Sequence, residues 1–155
     1  MGCGKSVVGV LVARRAGVPF IDLDLTIESE AGMPISEFFE THGEEAFRVL
    51  ESRLLPTVLQ PDTVVALGGG APVDDENWRI IVERSLPVFI DCEFETLWAR
   101  TAGTTNRPLR AGRTREEVQA LHEQRLPRYR EAIYRVNGEL DVDTVADEIL
   151  KLWSG

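Results

Sequence analysis

Gly2-Cys3-Gly4-Lys5-Ser6 runs directly into Val7-Val8-Gly9-Val10-Leu11-Val12-Ala13, and the junction between these stretches decides the fold. The second stretch places Val8, Leu11 and Val12 on one face of a helix over residues 5–16. The first matches the closing part of G-x-x-x-x-G-K-[ST]. In that pattern small residues let successive backbone N–H groups curl around a phosphate, the Lys reaches the terminal phosphates and the hydroxyl meets Mg2+. An ordinary helix start accounts for the same five residues equally well. The first glycine of the pattern falls two positions ahead of Met1, so the expectation is a shortened loop. No strand feeds the helix, although ligands in such folds sit at the carboxyl ends of strands. Met1-Gly2-x-x-x-Ser6 also fits an N-myristoylation template with Cys3 as a second acyl site, but residues 7–11 continue as a core helix. A signal peptide fails because Arg14-Arg15 stand where small cleavage-site residues belong.

Further along, short apolar runs predict strands over residues 19–21, 63–67 and 87–91, with a weaker one over 139–142. Helical patterns separate them. Residues 44–59 carry Phe47, Leu50, Leu54, Leu55 and Val58 on one face, and Val145, Ile149 and Leu152 stripe a closing helix after Asp143. Buried strands alternating with helices imply an α/β sandwich with right-handed crossovers.

Several polar residues stand at the ends of these elements. Asp22 and Asp24 follow the first strand 17 and 19 residues after Lys5, an interval that one helix, a tight return and a short parallel strand fill. One carboxylate can hold a metal-bound water and another can orient or deprotonate a hydroxyl, and either can equally cap the next helix. Gly68-Gly69-Gly70 ends the second strand, where three glycines make sense if a ligand approaches the main chain. Arg48 is either a binding cation or a surface Arg lying over Phe47. Arg107-Pro108-Leu109 follows a Gly- and Thr-rich stretch and reads as a lid cation. In Arg125-Leu126-Pro127-Arg128-Tyr129 the proline predicts a kink or a new helix start.

The 155 residues carry a net charge of −9, spread unevenly. Residues 100–135 hold nine arginines and four glutamates, a net of +5, which leaves −14 for the remainder. An acidic total argues against a general nucleic-acid binder, and clustered Arg suggests a small anionic ligand or a helix face laced with ion pairs. The longest apolar run, residues 7–13, is far below the roughly 18 residues of a membrane span, and Cys3 and Cys92 show no disulfide-like spacing. The length fits one domain. A cytoplasmic monomer with no nucleic-acid or membrane partner is the expectation.

Taken together, Gly2-Cys3-Gly4-Lys5-Ser6, Asp22-Leu23-Asp24, Phe47-Arg48 with Glu51, Gly68-Gly69-Gly70, Arg100, Arg107-Pro108-Leu109 and Arg125-x-Pro127-x-Tyr129 resemble shikimate kinase. This is a small phosphate-loop kinase of the nucleoside-monophosphate-kinase type. The resemblance implies a three-layer α/β/α sandwich with a parallel sheet, whose central first strand this chain is expected to lack. It implies a single kinase domain over residues 1–155, with a substrate-binding helical region at about 22–60 and a lid at about 102–117. It implies transfer of the ATP γ-phosphoryl group to the 3-hydroxyl of shikimate, with Mg2+ as cofactor. Gly2, Cys3, Gly4, Lys5, Ser6, Arg100 and Arg107 would hold ATP, with Ser6 on the metal and Asp22 reaching it through water. Asp24, Arg48, Gly68, Gly69, Gly70 and Arg125 would bind shikimate, and Lys5, Asp24 and Arg107 would be catalytic. Ala66 stands where the family often has a hydroxyl or an acid near the metal, and Arg110 where it has an apolar residue. Two other readings stay open: another small-molecule kinase of the same fold, such as one acting on gluconate, and a truncated, non-catalytic nucleotide-binding remnant.

Overall fold

In the computed structural model of the chain, which describes residues 2–101 and 113–153, the opening helix α1 (Lys5–Ala16) lies between two glycines. Gly4 precedes it at φ 81°. Gly17 ends it at φ 71° and donates its N–H to the Ala13 carbonyl. Both are left-handed conformations that a side chain resists and glycine accepts. The buried face of α1 carries Val8 and Val12.

Strand β1 (Phe20–Asp22) follows and pairs in parallel with β2 (Val64–Ala66), Phe20 opposite Val64 and Asp22 opposite Ala66. Between them run α2 (Leu23–Ala31) and α3 (Ile35–Val58). After β2 come a 3-10 turn (Ala71–Val73) and α4 (Asp75–Arg84), whose N-cap Asp74 accepts the Asn77 N–H. Strand β3 (Val88–Asp91), α5 (Phe94–Thr101), α6 (Arg115–Tyr129), β4 (Tyr134–Asn137) and α7 (Val142–Trp153) complete the order. β3 and β4 are again parallel, Val88 opposite Tyr134. Both pairings need crossover helices, which is the signature of an α/β fold.

Two apolar clusters hold the elements. One joins Leu23 and Ile27 of α2 to Phe38, Phe47, Leu55 and Val58 of α3 and Ile81 of α4. The other packs Val8 and Val12 of α1 on Val136, Val145 and Ala146 of β4 and α7. Among the described residues the strands form two parallel pairs, with a cavity of about 460 Å3 lined by Val8, Val12, Val65, Leu67, Phe89 and Ile90. Residues of β2 and β3 expected to be buried on both faces are half-buried where they line it.

Three features differ from expectation. The fourth strand lies at 134–137 rather than 139–142, because Val142 already begins α7. Only Val136 of β4 is buried, so the run lacks the apolar density that marks the other strands. The helix expected over 44–59 extends back to Ile35 through a break at Gly43, φ 80° and ψ 173°. Pro127 does not start a new helix; α6 continues two residues beyond it and ends at Tyr129. Residues 102–112 of the expected lid, Arg107 among them, lie outside the described residues. Thr114 and Glu117 form the capping box that starts α6, each side chain accepting the other's backbone N–H. Among the described residues no helix is long and apolar enough to cross a membrane.

Candidate active site

β1 ends where α1 begins, and this juxtaposition brings the first two motifs together. Asp22, the last residue of β1, is also the N-cap of α2. Its Oδ1 accepts the Asp24 N–H at 3.0 Å, and its Oδ2 accepts the Ser6 hydroxyl at 2.7 Å. One oxygen of the carboxylate caps α2 while the other meets the Ser6 hydroxyl. Asp24 sits in the first turn of α2, half-buried. Burial raises its carboxyl pKa above the ordinary 3.8, the Lys5 charge opposes that rise, and Asp22 and Glu28 add to it. A carboxylate poised this way accepts a proton more readily than an exposed one.

The glycine turn after β2 closes the other side. A Cβ on Gly68 would stand 2.5 Å from Asp24 Oδ1 and 3.3 Å from Glu51 Oε1. On Gly69 it would stand 3.1 Å from the Tyr129 hydroxyl and 3.3 Å from Arg125 Nη1, and on Gly70 2.0 Å from Arg48 Nη1. The turn lacks side chains because Asp24, Tyr129, Arg125 and Arg48 occupy the space. The expected close approach is therefore made by the protein's own polar groups, around the place a ligand would share.

Arg48 projects from α3 beneath this turn. Its Nη1 donates to Glu51 at 2.7 Å and its Nη2 to Glu44 at 3.2 Å, with its guanidinium carbon 5.1 Å from the Phe47 ring centre. The surface reading had the stem over Phe47. Instead the guanidinium lies over the ring and is tied to a carboxylate that is only 1% exposed. Burial raises the Glu51 pKa above 4.5, against the pull of its hydrogen bond and charge attraction to Arg48, and nearby Asp24 adds to the rise. Arg125 and Tyr129, one turn apart on α6, meet the turn from the opposite direction. Arg100 is separate. It donates to the Gly138 carbonyl at 2.9 Å, beside the loop between β4 and α7. Gly2 is buried against α5, where a Cβ would lie 2.6 Å from the Leu97 carbonyl oxygen, and Cys3 is a half-buried free thiol.

The fold thus gathers Lys5, Ser6, Asp22, Asp24, Arg48, Gly68, Gly69, Gly70 and Arg125 around one mouth and leaves Arg100 at its edge. Sequence reasoning attached no role to Glu51 or Tyr129. Their signals were an i, i+3 pair with Arg48 and an i, i+4 pair with Arg125, which place the partners on one helix face.

A family model described as shikimate kinase matches residues 1–153. The chain belongs to the shikimate kinase family. It is similar to the shikimate kinase of Ruegeria pomeroyi, 40% identical over 154 residues that cover 97% of this chain and 79% of that protein. It is likewise similar to the shikimate kinase of Rhizobium leguminosarum bv. trifolii, 36% identical with the same coverage. Among solved structures, shikimate kinase from Acinetobacter baumannii in complex with shikimate matches with a TM-score of 0.93 and 32% identity, covering 99% of this chain and 88% of that one. The Aquifex aeolicus enzyme matches with a TM-score of 0.88 and 35% identity, covering 100% and 92%. The α/β fold is the family's, and family membership makes the chain an ATP-dependent kinase, a transferase.

Proposed function

We propose that the chain transfers the γ-phosphoryl group of ATP to the 3-hydroxyl of shikimate, giving shikimate 3-phosphate and ADP. The observation that carries this reading is the convergence on one mouth of Lys5, the half-buried carboxylate of Asp24, and two arginines, Arg48 and Arg125, set around a glycine turn. A phosphate loop and an acceptor base serve any small-molecule kinase. Two guanidiniums beside one turn suit a planar carboxylate, which a forked donor grips in two places.

In this mechanism Lys5 and the amides of Gly2, Cys3 and Gly4 hold the β- and γ-phosphates. Arg48 and Arg125 bind the substrate carboxylate, and the turn at Gly68, Gly69 and Gly70 offers backbone donors. Asp24 takes the proton of the 3-hydroxyl as its oxygen bonds to the γ-phosphorus and the bond to the β-phosphate oxygen breaks. Positioning and charge supply most of the acceleration in such transfers. Arg107 is assigned to the transferring phosphates and Arg100 to the adenine side.

Ser6 and Asp22 fit Mg2+: both offer hard oxygens, already in contact, and an ion bound by two protein groups is normally completed by phosphate and water. Bound there, Mg2+ would draw negative charge off the phosphates. Among the described residues no cluster of three or more His, Cys, Asp or Glu forms a separate metal site. The role belongs to shikimate-consuming aromatic biosynthesis in the cytoplasm, with a monomer as the working form.

A coupled assay for ADP release with ATP and a panel of polyol acceptors tests the reading. Turnover of shikimate, abolished by Lys5→Ala, is expected. Turnover of gluconate without turnover of shikimate would overturn it.

A further inference from the structure

The phenol of Tyr129 reaches the glycine turn beside Arg125. Its hydroxyl donates to the Gly69 carbonyl at 2.6 Å, across 60 residues of sequence. Arg125, one turn earlier on α6, brings its Nη1 to the same spot: a Cβ on Gly69 would stand 3.3 Å from that nitrogen and 3.1 Å from the Tyr129 hydroxyl. The Tyr129 ring is held from behind by Phe89 of β3, with ring centres 5.6 Å apart. A hydroxyl has one proton to give and two lone pairs, so accepting from the guanidinium and donating to the carbonyl are compatible.

We propose that Tyr129 is a positioning residue for the carboxylate subsite, fixing the Arg125 guanidinium and the Gly69–Gly70 peptide in register before substrate arrives. The peptide unit is planar and trans, so holding the Gly69 carbonyl toward Tyr129 aims the Gly70 N–H to the opposite side. One hydroxyl therefore sets the direction of a charged donor and of a backbone donor together. Without it Arg125 keeps its charge but loses its fixed heading, and each substrate molecule must order it anew. This role rests on the proposed function, because it presupposes that Arg125 meets a carboxylate.

The test is Tyr129→Phe in the whole chain, which keeps the ring against Phe89 and deletes only the oxygen. Binding is measured without nucleotide for shikimate and for a cyclohexene triol of the same stereochemistry that lacks the carboxylate. The expected result is about a tenfold weaker Kd for shikimate, the scale of a hydrogen bond to a charged group. The triol Kd and the KM for ATP should change less than about twofold, below what loss of one hydrogen bond produces. Equal weakening of both ligands, or none for shikimate, would overturn the positioning role while leaving the function intact. Failure of the unmutated chain to bind shikimate at all would overturn the function and the role together.

Discussion

The two sides of the mouth are built in different ways. On the phosphate side, Lys5, Ser6, Asp22 and Asp24 come from two helix starts, and the bonds that set them are the Asp22 cap of α2 and a single hydroxyl–carboxylate contact. On the other side, Arg48, Glu51, the glycine turn, Arg125 and Tyr129 come from α3, the end of β2 and α6. Arg48 and Glu51 pair within α3, but what brings them, Arg125 and Tyr129 to the turn is contact between distant segments. Locally wired groups should tolerate disturbance of the core and fail through their own chemistry. Groups held by long-range contact should fail by losing their aim, with the chemistry left intact.

Lys5→Met tests the first half and should have the largest effect, a fall in kcat of about 10²–10³-fold, as when a charge-stabilising donor is removed. Thermal unfolding should barely move. A large loss of stability would show that Lys5 supports the fold rather than the phosphates.

Gly70→Ala and Gly4→Ala break the comparison from both sides. The new methyl at Gly70 meets the end of the flexible Arg48 side chain, which can swing away, so the fold should survive while KM for shikimate rises roughly tenfold, the scale set by a displaced charged donor. Gly4 has open space around it but a φ of 81°. Alanine there should cost about 1–2 kcal/mol of stability and lower Tm by roughly 2–8 °C. Exchanged outcomes for the two variants would contradict the contrast.

Glu51→Ala removes the buried partner of Arg48. The expected destabilisation is about 2 kcal/mol, below the usual figure for a broken buried pair because solvent reaches the Arg48 side chain. Denaturant unfolding reads the loss. A rise in KM for shikimate, with KM for ATP unchanged, would show that the lost pair also aimed Arg48.

Proton affinity gives a smaller, signed test. Asp24 must be ionised to accept a proton, and burial keeps its pKa above 3.8, so kcat/KM should fall as pH drops through that raised value. Glu28 adds to the rise and only caps the Ile35 N–H, so Glu28→Gln should move the acid limb slightly toward lower pH. A shift upward would remove Asp24 as the group titrating there.

Much of the locally wired half was legible in the sequence. A glycine-rich loop, a helix over 5–16 and two carboxylates after a strand follow from residue types and spacing, because their bonds join near neighbours or adjacent elements. β4 was misplaced for a physical reason: Tyr134, Arg135 and Asn137 stay partly or wholly exposed, so burial writes only Val136 into the pattern. The first half of α3 was missed because Pro34 offers no capping side chain and Gly43 interrupts the helical repeat. Glu51 and Tyr129 were visible as spacings, but the partners that give them meaning are brought in by the fold.

The most direct test of the two-sided account is calorimetric titration of shikimate, without nucleotide, into the unmutated chain, Lys5→Met and Arg48→Ala. The account predicts binding by the unmutated chain, a Kd within about twofold for Lys5→Met, and at least about tenfold weaker binding for Arg48→Ala, as expected when one charged donor of a bidentate grip is removed. Equal weakening by both variants, or a larger loss from Lys5→Met, would contradict it.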